Sequence, residues 1–125
     1  MKIKDLKSGL KKVHITGEIV DFSEIITTKT NKKFIKIKIK DDTGICNLDV
    51  WETTKDSNEQ VVVAKEWNLI HNTLKVGDIV LIEYAYCRGF YNNYEGYEGI
   101  NIPELTLGYF GKMTLVEENA NSNTI

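Results

Sequence analysis

Apolar and polar residues alternate most clearly near the start of the chain. Val13, Ile15, Gly17 and Ile19 alternate with His14, Thr16 and Glu18. A period of two predicts a half-buried strand, here over residues 13–24. Gly17 falls on the apolar side, where a missing side chain lets a strand bend or another backbone approach. After a polar turn over residues 27–33 the alternation returns almost unbroken. Ile35, Ile37 and Ile39 share one face, and Phe34, Lys36, Lys38 and Lys40 the other. "DDTG", residues 41–44, reads as a tight hairpin turn. The third strand then places Cys46, Leu48 and Val50 on one face and Ile45, Asn47, Asp49 and Trp51 on the other. If Leu48 and Val50 enter the core, Trp51 points out of it, onto the surface that carries the lysine row. A tryptophan at a strand end can also be tucked beneath a loop.

Residues 53–58 read as a linker and residues 59–74 as a helix. Val63, Trp67, Ile70 and Leu74 form one apolar stripe, with Ser57 or Asn58 as its cap. Trp67 on that stripe is a core residue. "KVGD" is a turn, and a fourth strand covers residues 79–90. Its continuous apolar run from Ile79 to Ile82 predicts burial on both faces or a bulge. A fifth strand lies within residues 99–118, where Pro103, the only proline, implies an edge or bulge. Three strands, a helix and two strands describe an all-β protein. The predicted fold is a five-stranded OB-fold Greek-key barrel with one helix between strands three and four. The domain spans residues 1–117, and residues 118–125 form a disordered tail without apolar periodicity.

Composition adds bounds. A chain of 125 residues, 42% hydrophobic and 27% charged, is an ordinary single globular domain. Its two cysteines, Cys46 and Cys87, sit in apolar runs without a CxxC, as small core residues do. No apolar run is long enough to cross a membrane, and the lysine-rich start has no signal-peptide core. The expectation is a cytoplasmic, nucleoid-associated protein. Charge is divided unevenly along the chain. Residues 1–40 hold eleven lysines and four acids, a net of +7. Residues 41–125 hold four lysines and one arginine against fourteen acids, a net of −9. A basic segment of this kind is an electrostatic footprint, or a set of solvated faces that mix on folding. Catalysis finds no support. His14 and His71 have no nucleophile-and-base arrangement around them, and neither a P-loop nor a dinucleotide fingerprint is present. Asp41 and Asp42 belong to the hairpin turn rather than to a metal site. No cofactor is expected.

The unusual residues fall where an OB-fold binds strands. Six of the twelve aromatics lie between Tyr84 and Tyr97, among glycines and asparagines. Single-stranded nucleic acid offers phosphates to lysines and open base faces to rings. The OB-fold presents its second and third strands, with the first and fourth connecting loops, to such ligands. Lys29, Lys32 and Lys33 are in the first loop. Phe34, Lys36, Lys38 and Trp51 are on the outer strand face, and Tyr86, Arg88, Phe90 and Tyr91 lead into the other loop. These residues form a stacking platform with phosphate contacts.

"IKDLKSGLKKVHITGEIV", "DDTGICNLDVWE", "LKVGDIVLIEYAY" and "LTLGYFGKMTLVE" together resemble the small archaeal single-stranded DNA-binding proteins of the simple OB-fold type. These are relatives of the replication protein A domains and of the OB-fold component of the human SOSS complex. The resemblance covers about residues 2–117. It implies base stacking on Trp51, Tyr86 and Phe90, with sequence-tolerant protection of exposed strands in replication, recombination and repair. This chain departs from the pattern in the loop "YNNYEGYEGINIPE", which is longer and more acidic than the short basic turn of that family. Glu95, Glu98 and Glu104 there repel phosphate, so Tyr94 and Tyr97 either pack on their own hairpin or form a patch for a protein partner. Two functions follow: a single-stranded DNA binder, with RNA as a variant because stacking does not read the sugar, or an OB-fold module that docks a protein.

Overall fold

The computed structural model describes residues 1–91 and 101–119. A short 3-10 turn, Ile3–Asp5, precedes β1 (Val13–Phe22), β2 (Ile26–Thr27), β3 (Lys33–Lys40) and β4 (Ile45–Trp51). A small hairpin, β5 (Thr53–Lys55) and β6 (Val61–Val63), leads into α1 (Lys65–Asn72). β7 (Ile79–Tyr91) and β8 (Ile102–Glu117) complete the chain. The main sheet runs β1-β7-β8-β4-β3, and pairing of β1 with β3 closes it into a five-stranded barrel. β4 and β8 pair in parallel and the other barrel pairs are antiparallel. This is the OB-fold, with its helix between the third and fourth barrel strands.

The alternation read along the chain sets what enters the barrel. Ile15, Ile19, Ile37, Ile39, Leu48, Val50, Val80 and Ile82 are fully buried. Each such side chain contributes about 1.5–3 kcal/mol by leaving water. Ile3 from the amino-terminal turn and Leu6 just after it, with Trp67 and Ile70 from α1 and Leu74 just beyond it, join the same core. Cys46 and Cys87 are buried and unpaired, and burial pushes both thiols up. Gly17 lies where β1 crosses β3. A Cβ there would meet Ile39 Cγ2 at 2.5 Å and the Lys40 carbonyl oxygen at 2.7 Å, so the close approach needs glycine.

Within the run Ile79 to Ile82 the register shifts between Ile79 and Val80; Val80 and Ile82 are buried and Ile79 and Leu81 half-buried, and a bulge follows further along β7. Register shifts between Glu83 and Ala85, where Tyr84 has φ 57°, a left-handed conformation. The extra residue resets the alternation. Val80 and Ile82 point inward before it, and Ala85 and Cys87 after it, leaving Tyr86, Arg88 and Phe90 on the outside. A further shift lies between Cys87 and Gly89. Pro103 sits near the start of β8, flanked there by β7 alone, since pairing with β4 begins at Glu104. It therefore occupies the one-sided stretch where its missing N–H is tolerated.

The segment between β4 and β7 departs from expectation. The helix predicted over residues 59–74 begins only at Lys65. Val61, Val62 and Val63 instead pair with Lys55, Thr54 and Thr53. Three consecutive β-branched residues favour extended backbone. Asp56 Oδ1 accepts hydrogen bonds from the N–H groups of Asn58 and Gln60, which closes the turn between them. Neither Ser57 nor Asn58 caps the helix; the cap position is Ala64, without a side-chain bond. Val63 accordingly leaves the apolar stripe and is exposed, while Trp67, Ile70 and Leu74 keep it.

At the other end of the chain, Glu118 pairs with Lys75 at 2.7 Å and the Asn119 N–H donates to Asp78 Oδ1 at 2.7 Å. The first two residues assigned to the tail are thus tied to the entrance of β7. Residues 120–125 lie outside the described residues.

Candidate nucleic-acid interface

The outer faces of β3, β4, β8 and β7 form one continuous surface, and strand register orders its side chains. Phe34 is opposite Trp51, Lys36 opposite Asp49, and Lys38 opposite Asn47. Asp49 lies beside Thr106, which in turn is opposite Tyr86. Phe90 is opposite Pro103. Tyr86 and Phe90 are therefore three β8 positions apart, roughly 10 Å by strand rise.

Trp51 is half-buried on this face, as the parity of β4 requires, and not in the core. Its ring lies 4.6 Å from that of Phe34 at an interplanar angle of 34°. Beside it opens a groove of about 300 Å³ lined by Lys32, Trp51, Thr53, Thr54, Lys55 and Val61. Tyr86, Phe90 and Tyr91 are exposed on β7. An exposed ring beside a groove can accept a base on its face. Lys29, Lys32 and Lys33 are exposed around the β2–β3 turn, which Thr28 closes by accepting from the Lys32 N–H.

The centre of the face holds charges of both signs. Lys36 Nζ donates to Glu104 Oε1 at 2.6 Å and lies 4.0 Å from Asp49 Oδ1. Arg88 Nη1 lies 3.4 Å from Asp49 Oδ2 and 3.8 Å from Glu104 Oε2. Asp49 is 2% exposed and Glu104 6%. Burial pushes the Asp49 carboxyl up to about 7; neighbouring Glu104 adds to the rise, and Lys36 and Arg88 oppose it. Two of the residues expected to hold phosphate, Lys36 and Arg88, are thus already engaged by carboxylates. The sequence placed Asp49 on the outer face but gave no sign that Glu104 would meet it, because periodicity does not say that β4 and β8 lie side by side. Glu104 stands in β8, between β4 and β7. Asn47 is fully buried beside this cluster, and neither its Oδ1 nor its Nδ2 has a hydrogen-bond partner.

The buried carboxyl pair sets a pH dependence of stability. The folded pKa of Asp49, about 7, lies above the unfolded value of about 3.9. Between these values the folded chain holds more protons than the unfolded chain, so this contribution is lost as pH rises toward 7. Glu66, raised by its own burial, acts in the same sense. The melting temperature of Asp49→Asn, measured against wild type from about pH 5 to about pH 8, is expected to gain on it up to about pH 7 and then to level off. A constant difference across that range would mean that Asp49 does not change protonation on unfolding.

Other candidates resolve into structure. Asp41 Oδ1 accepts from the Thr43 and Gly44 N–H groups and from the Thr43 hydroxyl, and Oδ2 from the Ile3 N–H. Asp42 pairs with Lys2. His14 packs edge-on against Tyr84, and His71 against Trp67. Among the described residues no cluster of three or more His, Cys, Asp or Glu could hold a metal, and no helix is long and apolar enough to cross a membrane. Tyr94, Tyr97, Glu95 and Glu98 lie outside the described residues.

Solved structures share this architecture. The chain is similar to the replication factor A related protein of Methanobacterium thermoautotrophicum at 18% identity and a TM-score of 0.61, over 95% of this chain and 94% of that one. It is also similar to an OB domain from Thermoplasma acidophilum at 18% identity and a TM-score of 0.56, over 95% of this chain and 88% of the other. No family model and no curated protein sequence matches the chain. At this identity the likeness establishes the OB-fold.

Proposed function

We propose that this chain binds single-stranded DNA with little sequence preference and protects exposed strands in replication, recombination and repair, in the cytoplasm at the nucleoid. The observation that carries this reading is the Trp51–Phe34 pair. Two large rings are held on the outside of the barrel, beside a groove edged by Lys32 and Lys55, on the same face as exposed Tyr86, with exposed Phe90 further along β7 beyond a register shift. Bases stack on Trp51, Tyr86 and Phe90, with Phe34 and Tyr91 beside them. Phosphates run along Lys33 and the other lysines at the rim, and Lys36, Lys38 and Arg88 line the centre. The similarity to the replication factor A related protein of Methanobacterium thermoautotrophicum supports an OB-fold binding domain. Ring stacking does not distinguish DNA from RNA, so an RNA strand is the variant of the same reading.

Tryptophan fluorescence tests it. Trp67→Phe leaves Trp51 as the sole reporter, since the chain has two tryptophans. Titration with an oligodeoxythymidine is expected to quench it in a saturable way, and duplex DNA of the same length to do so far more weakly. No change with any single strand would favour the other reading, an OB-fold module that docks a protein through the hairpin around Tyr94 and Tyr97.

A further inference from the structure

We propose that a strand bound on the barrel face continues past Trp51, over the β5–β6 hairpin, to a second stacking subsite formed by Phe110 and Tyr109. The proposal rests on the reading of the barrel face as a single-strand site. Phe110 is 72% exposed and Tyr109 41%, with their rings edge to face at 5.0 Å. Rings of that size are seldom left in water unless something covers them. They line a groove of about 380 Å³ together with Val63, Lys65, Glu66 and Lys112.

Register and packing make this groove continuous with the one beside Trp51. β4 and β8 run in parallel with Asp49 beside Thr106, so Trp51 and Gly108 reach the same end of the sheet. Tyr109 and Phe110 follow directly. β5 packs against β8, and Thr54 lines both grooves. A strand leaving Trp51 therefore meets the second groove next.

The chemistry of the groove fits a nucleic acid. Lys65 and Lys112 are exposed on its walls, in addition to Lys32 and Lys55 at the first groove. Alternating cations and open ring faces are what a phosphate chain with unpaired bases requires. Glu66 on the floor is 4% exposed, and its Oε1, 3.9 Å from Lys65 Nζ, has no hydrogen-bond partner. Its burial raises the carboxyl pKa, and its Oε1 is itself shielded from solvent. An apolar protein segment would suit Val63 and Phe110 but would leave the lysines unmatched.

The test uses oligodeoxythymidines of about six and about fourteen nucleotides, within the site sizes of one OB-fold. Phe110→Ala is expected to weaken the longer strand roughly ten-fold and the shorter less than about two-fold, since one stacked base is at stake. Lys112→Glu, also at an exposed position, is expected to repeat the pattern by charge rather than by stacking. Equal affinity of wild type and Phe110→Ala for the longer strand overturns the subsite and assigns the rings to a protein partner. Equal losses at both lengths also overturn it, because Phe110 would then act through the barrel site. If the wild type binds neither length, the barrel-face reading fails and takes the subsite with it.

Discussion

Trp51→Ala is expected to weaken single-strand binding by about 1–3 kcal/mol, roughly 5- to 150-fold, while the domain stays folded. Leu48 and Val50 fill the barrel, so Trp51 and its cross-strand partner Phe34 are turned outward. Removing an outward ring leaves no internal cavity. What is lost is a base-sized apolar face, already oriented by the Phe34 ring at 4.6 Å. Phe34→Ala should cost less than Trp51→Ala, because it removes the support and leaves the platform. Trp67 is the control. It is 8% exposed and packed in the core with Ile70 and Leu74, so Trp67→Ala leaves a cavity and is expected to cost about 3–5 kcal/mol of stability. Thermal melts and titrations on both variants separate the roles. A Trp51 variant that unfolds while the Trp67 variant does not would mean that core and surface are exchanged.

The fold was legible wherever a strand has one wet and one dry face. Ile35, Ile37 and Ile39 against Lys36, Lys38 and Lys40 could be read without ambiguity, and the barrel uses them in that way. Apolar content was less informative where it did not alternate. Val61 to Val63 could start a helix or form a strand, and the choice was made by pairing with Thr53 to Lys55 and by the Asp56 turn. The tyrosine-rich strand was legible only in part. The alternation of β7 breaks at Tyr84, whose left-handed backbone no composition rule announces. The candidate site divides in the same way. Trp51 was placed by local parity. The ion pairs of Lys36 and Arg88 were hidden because Asp49 and Glu104 come from β4 and β8, strands that meet only when the barrel closes. Periodicity reports which face a residue is on, but not which distant strand will lie beside it.

That hidden cluster changes the expected salt dependence. A cation released from bulk counterions when it meets a phosphate contributes about −0.7 to the slope of log affinity against log salt for single strands. If Lys29, Lys32, Lys33, Lys36 and Arg88 all met phosphates, the slope would be about −3.5. Lys36 and Arg88, however, lie against Glu104 and Asp49, both nearly buried. Handing either cation to a phosphate would leave two nearly buried carboxyls sharing the one cation that remains, which is unfavourable. Lys29, Lys32 and Lys33 are exposed around the β2–β3 turn and carry no such penalty. The expected slope for a strand of about six nucleotides, in the lower range of OB-fold site sizes, is therefore near −2, about a 16-fold loss of affinity between roughly 50 and 200 mM salt. Removing the two carboxylates as Asp49→Asn with Glu104→Gln frees Lys36 and Arg88 toward the strand. The slope should then steepen to about −3.5, about a 130-fold loss over the same range, with tighter binding at low salt. A wild-type slope already at the steeper value, unchanged by the double substitution, would show that phosphate displaces the carboxylates. Asp49 and Glu104 would then be bystanders of binding rather than competitors for its cations.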